Sequence, residues 1–233
     1  ADLSSGHAQL SQAVGVAPGT EIKLQITKPP YGALPNQWHL EQMIAVLPGS
    51  AVVKAAERSL RAAGVDHAFV GALAVGAYGM PRTTSDVDVI AEYRAEDIPR
   101  LAKAFRRLGF RVSAEDLRDA LAEGSHCTVH DPRSGFHLDL APALRPVSKD
   151  TIKRAVRVRW RGATLPIASP EHTIVMKLVY GSDQDVEDVV LLAGEHDLGV
   201  AVEHPAGVLV DLDLVASSLR LGRHLVGAGT PQQ

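Results

Sequence analysis

The chain has a single cysteine, Cys127, in 233 residues. No internal disulfide can form, which fits a reducing cytoplasm. It has little net charge, −3 at pH 7, so no global field draws it to nucleic acid or membrane. A polyanion site has to come from a local cluster. It has no long apolar run: Ala68 to Met80 is too short and too glycine-rich to span a bilayer. The opening ADLSSGHAQL lacks a basic segment and an apolar one, so no signal peptide is expected. Position 1 is alanine, and the natural start is expected upstream. Internal repeats and low-complexity tracts are also missing. What is present is an ordinary globular composition, 45% apolar and 22% charged. The length suffices for one large domain or two small ones with a real core.

Strand and helix patterns alternate from about residue 50 onward. TEIKLQI (20–26) alternates like a strand, KPPYGALP (28–35) reads as a linker, and Trp38 to Leu47 has helical spacing. Residues 51–63 read as an amphipathic helix stopped by Gly64. HAFVG (67–71) is a short strand, ALAVGAYG (72–79) opens a helix, and SDVDVIAE (85–92) is a strand. Helices are expected over 98–110, 114–123, 169–181, 185–196 and 211–222. Strand pairs are expected at 125–131 with 135–141 and across 156–168. The expected fold is therefore α/β (α+β): a small mixed sheet flanked by helices, with a helical C-terminal part. The expected boundaries are an extension over 1–50, a core over 51–168 and a helical region over 169–233.

The chemistry concentrates in VGALAVGAYGMPRTTSDVDVI (70–90). Side chains alternate along a strand, so Val87 and Val89 face one way and Asp86 and Asp88 the other. Two carboxylates side by side repel unless a cation lies between them, and magnesium is the usual hard partner beside phosphates. FHLDL (136–140) repeats the plan, with His137 and Asp139 opposite Phe136, Leu138 and Leu140. Three carboxylates on adjacent strands suit two metal ions and an in-line phosphoryl displacement. Gly71 ends a strand and opens a helix, where free N–H groups attract phosphate. The plainer alternatives are a solvated acidic strand face and a tight turn. Separations above about 10 Å among Asp86, Asp88 and Asp139 would favour them, since one metal ion cannot bridge that gap.

Gly71-Ala72, then Pro81-Arg82-Thr83-Thr84, then Asp86-Val87-Asp88, together resemble the core of the nucleotidyltransferase superfamily related to DNA polymerase beta. The pattern is most similar to the bacterial minimal branch that includes AbiEii-type toxins. SPEHTIVMKLVYGSDQDVEDVVLL (169–192) resembles that branch's lysine-bearing helix followed by an Asp-x-x-Asp turn, with Lys177, Asp185 and Asp188 at the matching positions. The likeness runs over roughly residues 50 to 195. It departs at Ala72, where the family usually has glycine or serine, so a hydroxyl that would touch phosphate is missing.

The resemblance implies transfer of a nucleoside monophosphate from a nucleoside triphosphate to an acceptor hydroxyl, with release of pyrophosphate. Asp86 and Asp88 would bind two Mg2+ ions. Asp139 would bind the catalytic one and help deprotonate the acceptor. Gly71 and Ala72 would hold the triphosphate, Arg82 would meet it, and Lys177 would neutralise phosphate charge, with Asp185 and Asp188 beside the nucleotide or capping their helix. The implied acceptor is a tRNA 3′ end or a protein hydroxyl, and then a small molecule such as an antibiotic. A cognate antitoxin is an implied partner, and no membrane is expected. The contrasting reading is a module on the same fold that binds nucleotide or RNA without transfer.

Residues 145–161, RPVSKDTIKRAVRVRWR, hold seven basic side chains and one acidic one, with Trp160 inside the run. A basic strand pair with an aromatic suits RNA backbone and base stacking, and a solvated basic face is the alternative. His126, Cys127 and His130 do not make a zinc site, because the cysteine faces away from the histidines along a strand. His137 shares a face with Asp139 and is expected to reach the site.

Overall fold

The computed structural model describes residues 23–27, 50–78, 84, 86–160, 162–180, 182–195, 199–203 and 209–211. The expected helices over 38–47 and 211–222, the linker 28–35 and Arg82 lie outside these residues. The chain divides into two compact units, Leu34–Thr173 and Ala1–Ala33 with Ile174–Gln233.

The larger unit is built on a six-stranded mixed sheet. Its strands are β2 (Asp66–Phe69), β3 (Asp86–Glu92), β4 (Cys127–His130), β5 (His137–Pro142), β6 (Val156–Trp160) and β7 (Ala163–Ile167), in the order β4-β5-β3-β2-β7-β6. β3 and β5 pair in parallel at the centre, while β2 with β3, β4 with β5 and β6 with β7 are antiparallel. The tight turns expected between β4 and β5 and at Gly162 (φ +80°) account for two of those hairpins. A parallel partner for β3 instead needs a long crossover. It is supplied by the chain between Tyr93 and Phe136, which carries α3 (Ile98–Arg107), α4 (Ala114–Glu123) and β4.

The helices form where period and caps predict them. α1 (Ser50–Ala62) buries Val52, Val53, Ala56 and Leu60 on one face and ends before Gly64, at φ +60°. α3 has proline in its first turn and arginines in its last, and buries Ile98, Leu101, Ala102 and Phe105. Its basic residues Arg100, Lys103, Arg106 and Arg107 are exposed, as the pattern implies. α4 starts at the N-cap Ser113, whose hydroxyl accepts the Asp116 N–H at 2.9 Å. Val87, Val89, Leu138 and Leu140 all lie at 4% exposure or less, and this row fixes the register of the two central strands.

The basic run departs from expectation. Residues Pro146–Lys153 form a helix, α5, with proline at its start. Only VRVRW remains as strand, and its alternation puts Arg157 and Arg159 outside and Val158 and Trp160 inside. Trp160 is 0% exposed, with Lys54 Nζ 5.5 Å from its ring centroid, so its ring offers no face for a base. The expected basic strand pair presenting an aromatic is corrected accordingly: Trp160 belongs to the core. Asp150 on α5 is joined to the start of α6 (Pro170–Tyr180). His172 Nε2 lies 3.1 Å from Asp150 Oδ2, and Nδ1 lies 2.8 Å from Ser169 Oγ. These contacts, with Arg154 second, hold the Asp150 carboxyl below its usual range.

The smaller unit holds the rest of α6, then α7 (Asp183–Glu195) and a three-stranded antiparallel sheet. That sheet is β1 (Lys23–Thr27), β8 (Gly199–Glu203) and β9 (Leu209–Asp211), in the order β1-β8-β9. The last two strands add to the helices expected over 169–233. Among the described residues, no helix is long and apolar enough to cross a membrane.

Candidate active site

The strand register brings two sequence-distant motifs together. Asp86 lies opposite His137 and Asp88 opposite Asp139 on the parallel pair β3–β5. Neighbouring strands stand about 4.8 Å apart, so the four side chains form a two-by-two patch on one sheet face. Atoms of Asp86, His137 and Asp139 converge within 4.8 Å of one another, each side chain half-buried. Scattered carboxylates, which would have marked a chance acidic strand, are not what the fold produces here.

Each member is positioned by its neighbours. Thr84 Oγ1 donates to Asp86 Oδ1 and, at 3.3 Å, to the Asp86 carbonyl. Thr128, opposite Asp139 on β4, donates its hydroxyl to Asp139 Oδ1 at 2.9 Å. That leaves Asp139 Oδ2 facing His126 Nε2 and His137 Nε2, each 3.9 Å away. Among the described residues, no lysine or arginine pairs with Asp86 or Asp139. Asp139 also acts at a distance on the buried Cys127. Burial first, then the charges of Asp116 and Asp139, push that thiol up to about 11, so it stays protonated.

Gly71 is fitted to Asp88. Its φ is +61°, in the left-handed region that favours glycine. A Cβ built there would lie 1.9 Å from Asp88 Oδ2 and 2.7 Å from its Cγ. The Val70 N–H donates to the Asp88 carbonyl at 3.0 Å, which draws the turn onto β3. The turn leads into α2 (Gly71–Ala77), whose Ala72 is only 3% exposed. Gly71, half-buried, is the one of the expected pair with backbone surface to offer. The sequence suggested a tight turn or a phosphate contact for Gly71. The close approach to Asp88 is a constraint that only the structure reveals.

Lys177, Asp185 and Asp188 also meet, within the smaller unit. Lys177 Nζ lies 2.6 Å from Asp185 Oδ1 and 2.8 Å from Asp188 Oδ2, and Asp188 is 2% exposed. Ser182 and Asp185 form a reciprocal cap at the start of α7. The Asp185 N–H donates to Ser182 Oγ at 3.2 Å, and the Ser182 N–H donates to Asp185 Oδ2 at 3.1 Å. The S-x-x-D spacing in SDQD was the readable signal for it. Burial pushes the Asp185 carboxyl up, but hydrogen bonds from Lys177 and Ser182 outweigh it and hold the group below its usual range.

A cavity of about 880 Å³ lies elsewhere in the larger unit. It is lined by Asp66 and Glu92, the start of β2 and the end of β3, and by Arg61, Lys149, Lys153 and Arg157. Glu92 closes the strand that Asp86 opens, roughly 20 Å away at about 3.3 Å per residue. This cavity and the acidic patch are therefore separate features, and the converging donor atoms mark the patch as the candidate site.

No family model matches the chain, and no curated protein matches it. Among solved structures it is similar to the antibiotic-resistance factor ANT(2'')-Ia, at 14% identity and a TM-score of 0.45 over 76% of this chain and 96% of that one. It is also similar to an antigenic nucleotidyltransferase-like protein from Paracoccidioides brasiliensis, at 18% identity and a TM-score of 0.42, over 84% and 94%. Likeness at this level assigns neither an activity nor a substrate.

Proposed function

We propose that this chain is a nucleotidyltransferase that uses Mg2+ to move a nucleoside monophosphate from a nucleoside triphosphate to an acceptor hydroxyl. One observation carries the reading: the β3–β5 register sets Asp86 and Asp88 beside His137 and Asp139, with donor atoms of Asp86, His137 and Asp139 within 4.8 Å. The donors fit a divalent ion, since two carboxylates and an imidazole converge without a lysine or arginine of the described chain neutralising them.

In this reading Asp86, Asp88 and Asp139 would hold the metal, with Asp139 nearest the acceptor. Bound Mg2+ supplies neutralisation of the phosphate charge and a more acidic acceptor hydroxyl. The acceptor oxygen forms a bond to the α-phosphorus, and the bond from that phosphorus to the β-phosphate oxygen breaks. Pyrophosphate leaves with the electron pair. The hydroxyl proton passes to water with the help of the Asp139 carboxylate, which the Thr128 hydroxyl orients. Gly71 steadies the triphosphate through its backbone, with Ala72 buried behind it, and Arg82 meets its charge. Lys177, with Asp185 and Asp188, would bind nucleotide only if the lysine released one of its two carboxylates.

The acceptor class we favour is a tRNA 3′ end or a protein hydroxyl, as in the toxin of a toxin–antitoxin pair in the cytoplasm. The test uses four α-labelled nucleoside triphosphates with Mg2+, total RNA and the protein itself, and an aminoglycoside in a parallel tube. Label on RNA or protein that disappears in Asp86→Asn/Asp139→Asn is the expected result. Label on the aminoglycoside alone would replace the acceptor class, and no label with any triphosphate would reject transfer.

A further inference from the structure

We propose that His137 binds the metal ion directly, so that the site favours Mn2+ and Co2+ over Mg2+. The inference rests on the reading above only in using the same carboxylates. His137 is fixed on β5 opposite Asp86 and two residues before Asp139, so its ring stands on the metal face of the sheet. Its donor atom converges with those of Asp86 and Asp139 within 4.8 Å.

The spacing fits shared ligation better than a hydrogen bond. His137 Nε2 is 3.9 Å from Asp139 Oδ2, well beyond hydrogen-bond reach. Two donors each about 2.1 Å from one ion stand roughly 3–4 Å apart, depending on the angle between them. The ring is half-exposed, with 32% of its side-chain surface open, and among the described residues no hydrogen bond holds it. Its ring neighbour, His130, is 6.3 Å away between centroids. His126 lies equally far from Asp139 Oδ2 but is more exposed, at 51%, and stands outside the converging group.

An all-oxygen site suits Mg2+. One imidazole in place of an oxygen shifts preference along the series in which Co2+ binds more tightly than Mn2+ and both are softer than Mg2+. The carboxylates then set the charge, and His137 sets which ion is held.

The test is binding and spectroscopy on the full chain, with no nucleotide present. Mn2+ is added to wild type, His137→Ala, His137→Gln, His126→Ala and Asp86→Asn/Asp139→Asn, and nitrogen coupling to the ion is read by pulsed electron paramagnetic resonance. Wild type and His126→Ala are expected to show directly bound imidazole nitrogen, and both His137 variants are expected to lose it. The wild-type signal must change pattern when histidine is labelled with 15N, so the assignment does not depend on a variant folding. The ratio of Mn2+ to Mg2+ affinity should fall at least about tenfold in His137→Gln. Mn2+ bound through Asp86 and Asp139 without nitrogen coupling would overturn this inference and leave the carboxylate site standing. No Mn2+ binding in wild type would overturn both. Nitrogen coupling without nucleotide transfer would keep His137 as a ligand and remove the proposed reaction.

Discussion

The protein contains two acidic groupings built from nearly the same residues, and they solve the repulsion between carboxylates in opposite ways. In the smaller unit, Asp185 and Asp188 close on Lys177, with Asp188 and Lys177 buried and Asp185 half-buried. In the larger unit, Asp86 and Asp139 stand half-buried with threonine hydroxyls and histidines beside them, and no lysine or arginine of the described chain answers their charge. A closed cluster with its own cation is suited to be a structural joint. An open one that spends no internal cation is suited to receive one. The motif D-x-D or D-x-x-D does not tell these apart, whereas the neighbours do.

The largest effect should come from the open cluster. Asp86→Asn or Asp139→Asn is expected to reduce nucleotide transfer by about a thousandfold, the scale of several kcal/mol of lost charge stabilisation. Thermal stability should hold or rise, because a repulsion is removed. A large fall in melting temperature would mean that these carboxylates are structural, and the contrast between the two clusters would collapse.

Lys177→Met should do the reverse. It leaves the buried Asp188 and the half-buried Asp185 without their cation, at a cost of up to about 3–5 kcal/mol. Adding Asp185→Asn and Asp188→Asn should restore much of that loss. If Lys177→Met instead unfolds at the wild-type urea concentration while transfer falls, the lysine serves the nucleotide and the cluster is not a joint.

A smaller effect separates two glycines with nearly the same φ. Gly64→Ala meets no atom within 4 Å and should cost only the left-handed backbone penalty, about 1–2 kcal/mol. Gly71→Ala adds a collision with Asp88, and should cost more and also depress transfer by turning that carboxylate. Equal urea midpoints for the two variants would show that Asp88 moves aside freely.

The smallest effect is in acid. Asp185 has a folded-state pKa below its ordinary value, so it contributes stability that is full above the unfolded value of about 3.9 and is lost as pH falls through the folded one. The gap in urea midpoint between wild type and Asp185→Ala should narrow as pH drops below about 4. A gap that stays constant down to pH 2.5 would leave the ion pair without a role.

Much of this was readable in the sequence because it is local. Alternation in SDVDVI and FHLDL placed the aspartates and His137 on one face, and helix starts such as SPE and stops such as Gly64 marked the elements. The same alternation in VRVRW puts Trp160 with the valines, although by composition the run is a charged face. The helix over Pro146–Lys153 was hidden by the same run, although proline after Arg145 is a helix-start signal. What no pattern carries is contact across the fold. The fit of Gly71 to Asp88 and the closure of Asp185 and Asp188 on Lys177 each join residues from different elements.

The parallel pairing of β3 with β5 also bears on how the molecule folds. Its two halves of the acidic patch are separated by the whole crossover from Tyr93 to Phe136, so a chain that has formed only hairpins has no patch. Such long-range parallel pairing is slow to form, because loop closure is unfavourable before the contacts that reward it exist. An ion that recognises only the completed pair therefore binds the native state and not the unfolded one. It should raise the unfolding midpoint with its own concentration by mass action. Metal-dependent melting thus becomes a readout of whether the central strands have met, independent of any nucleotide.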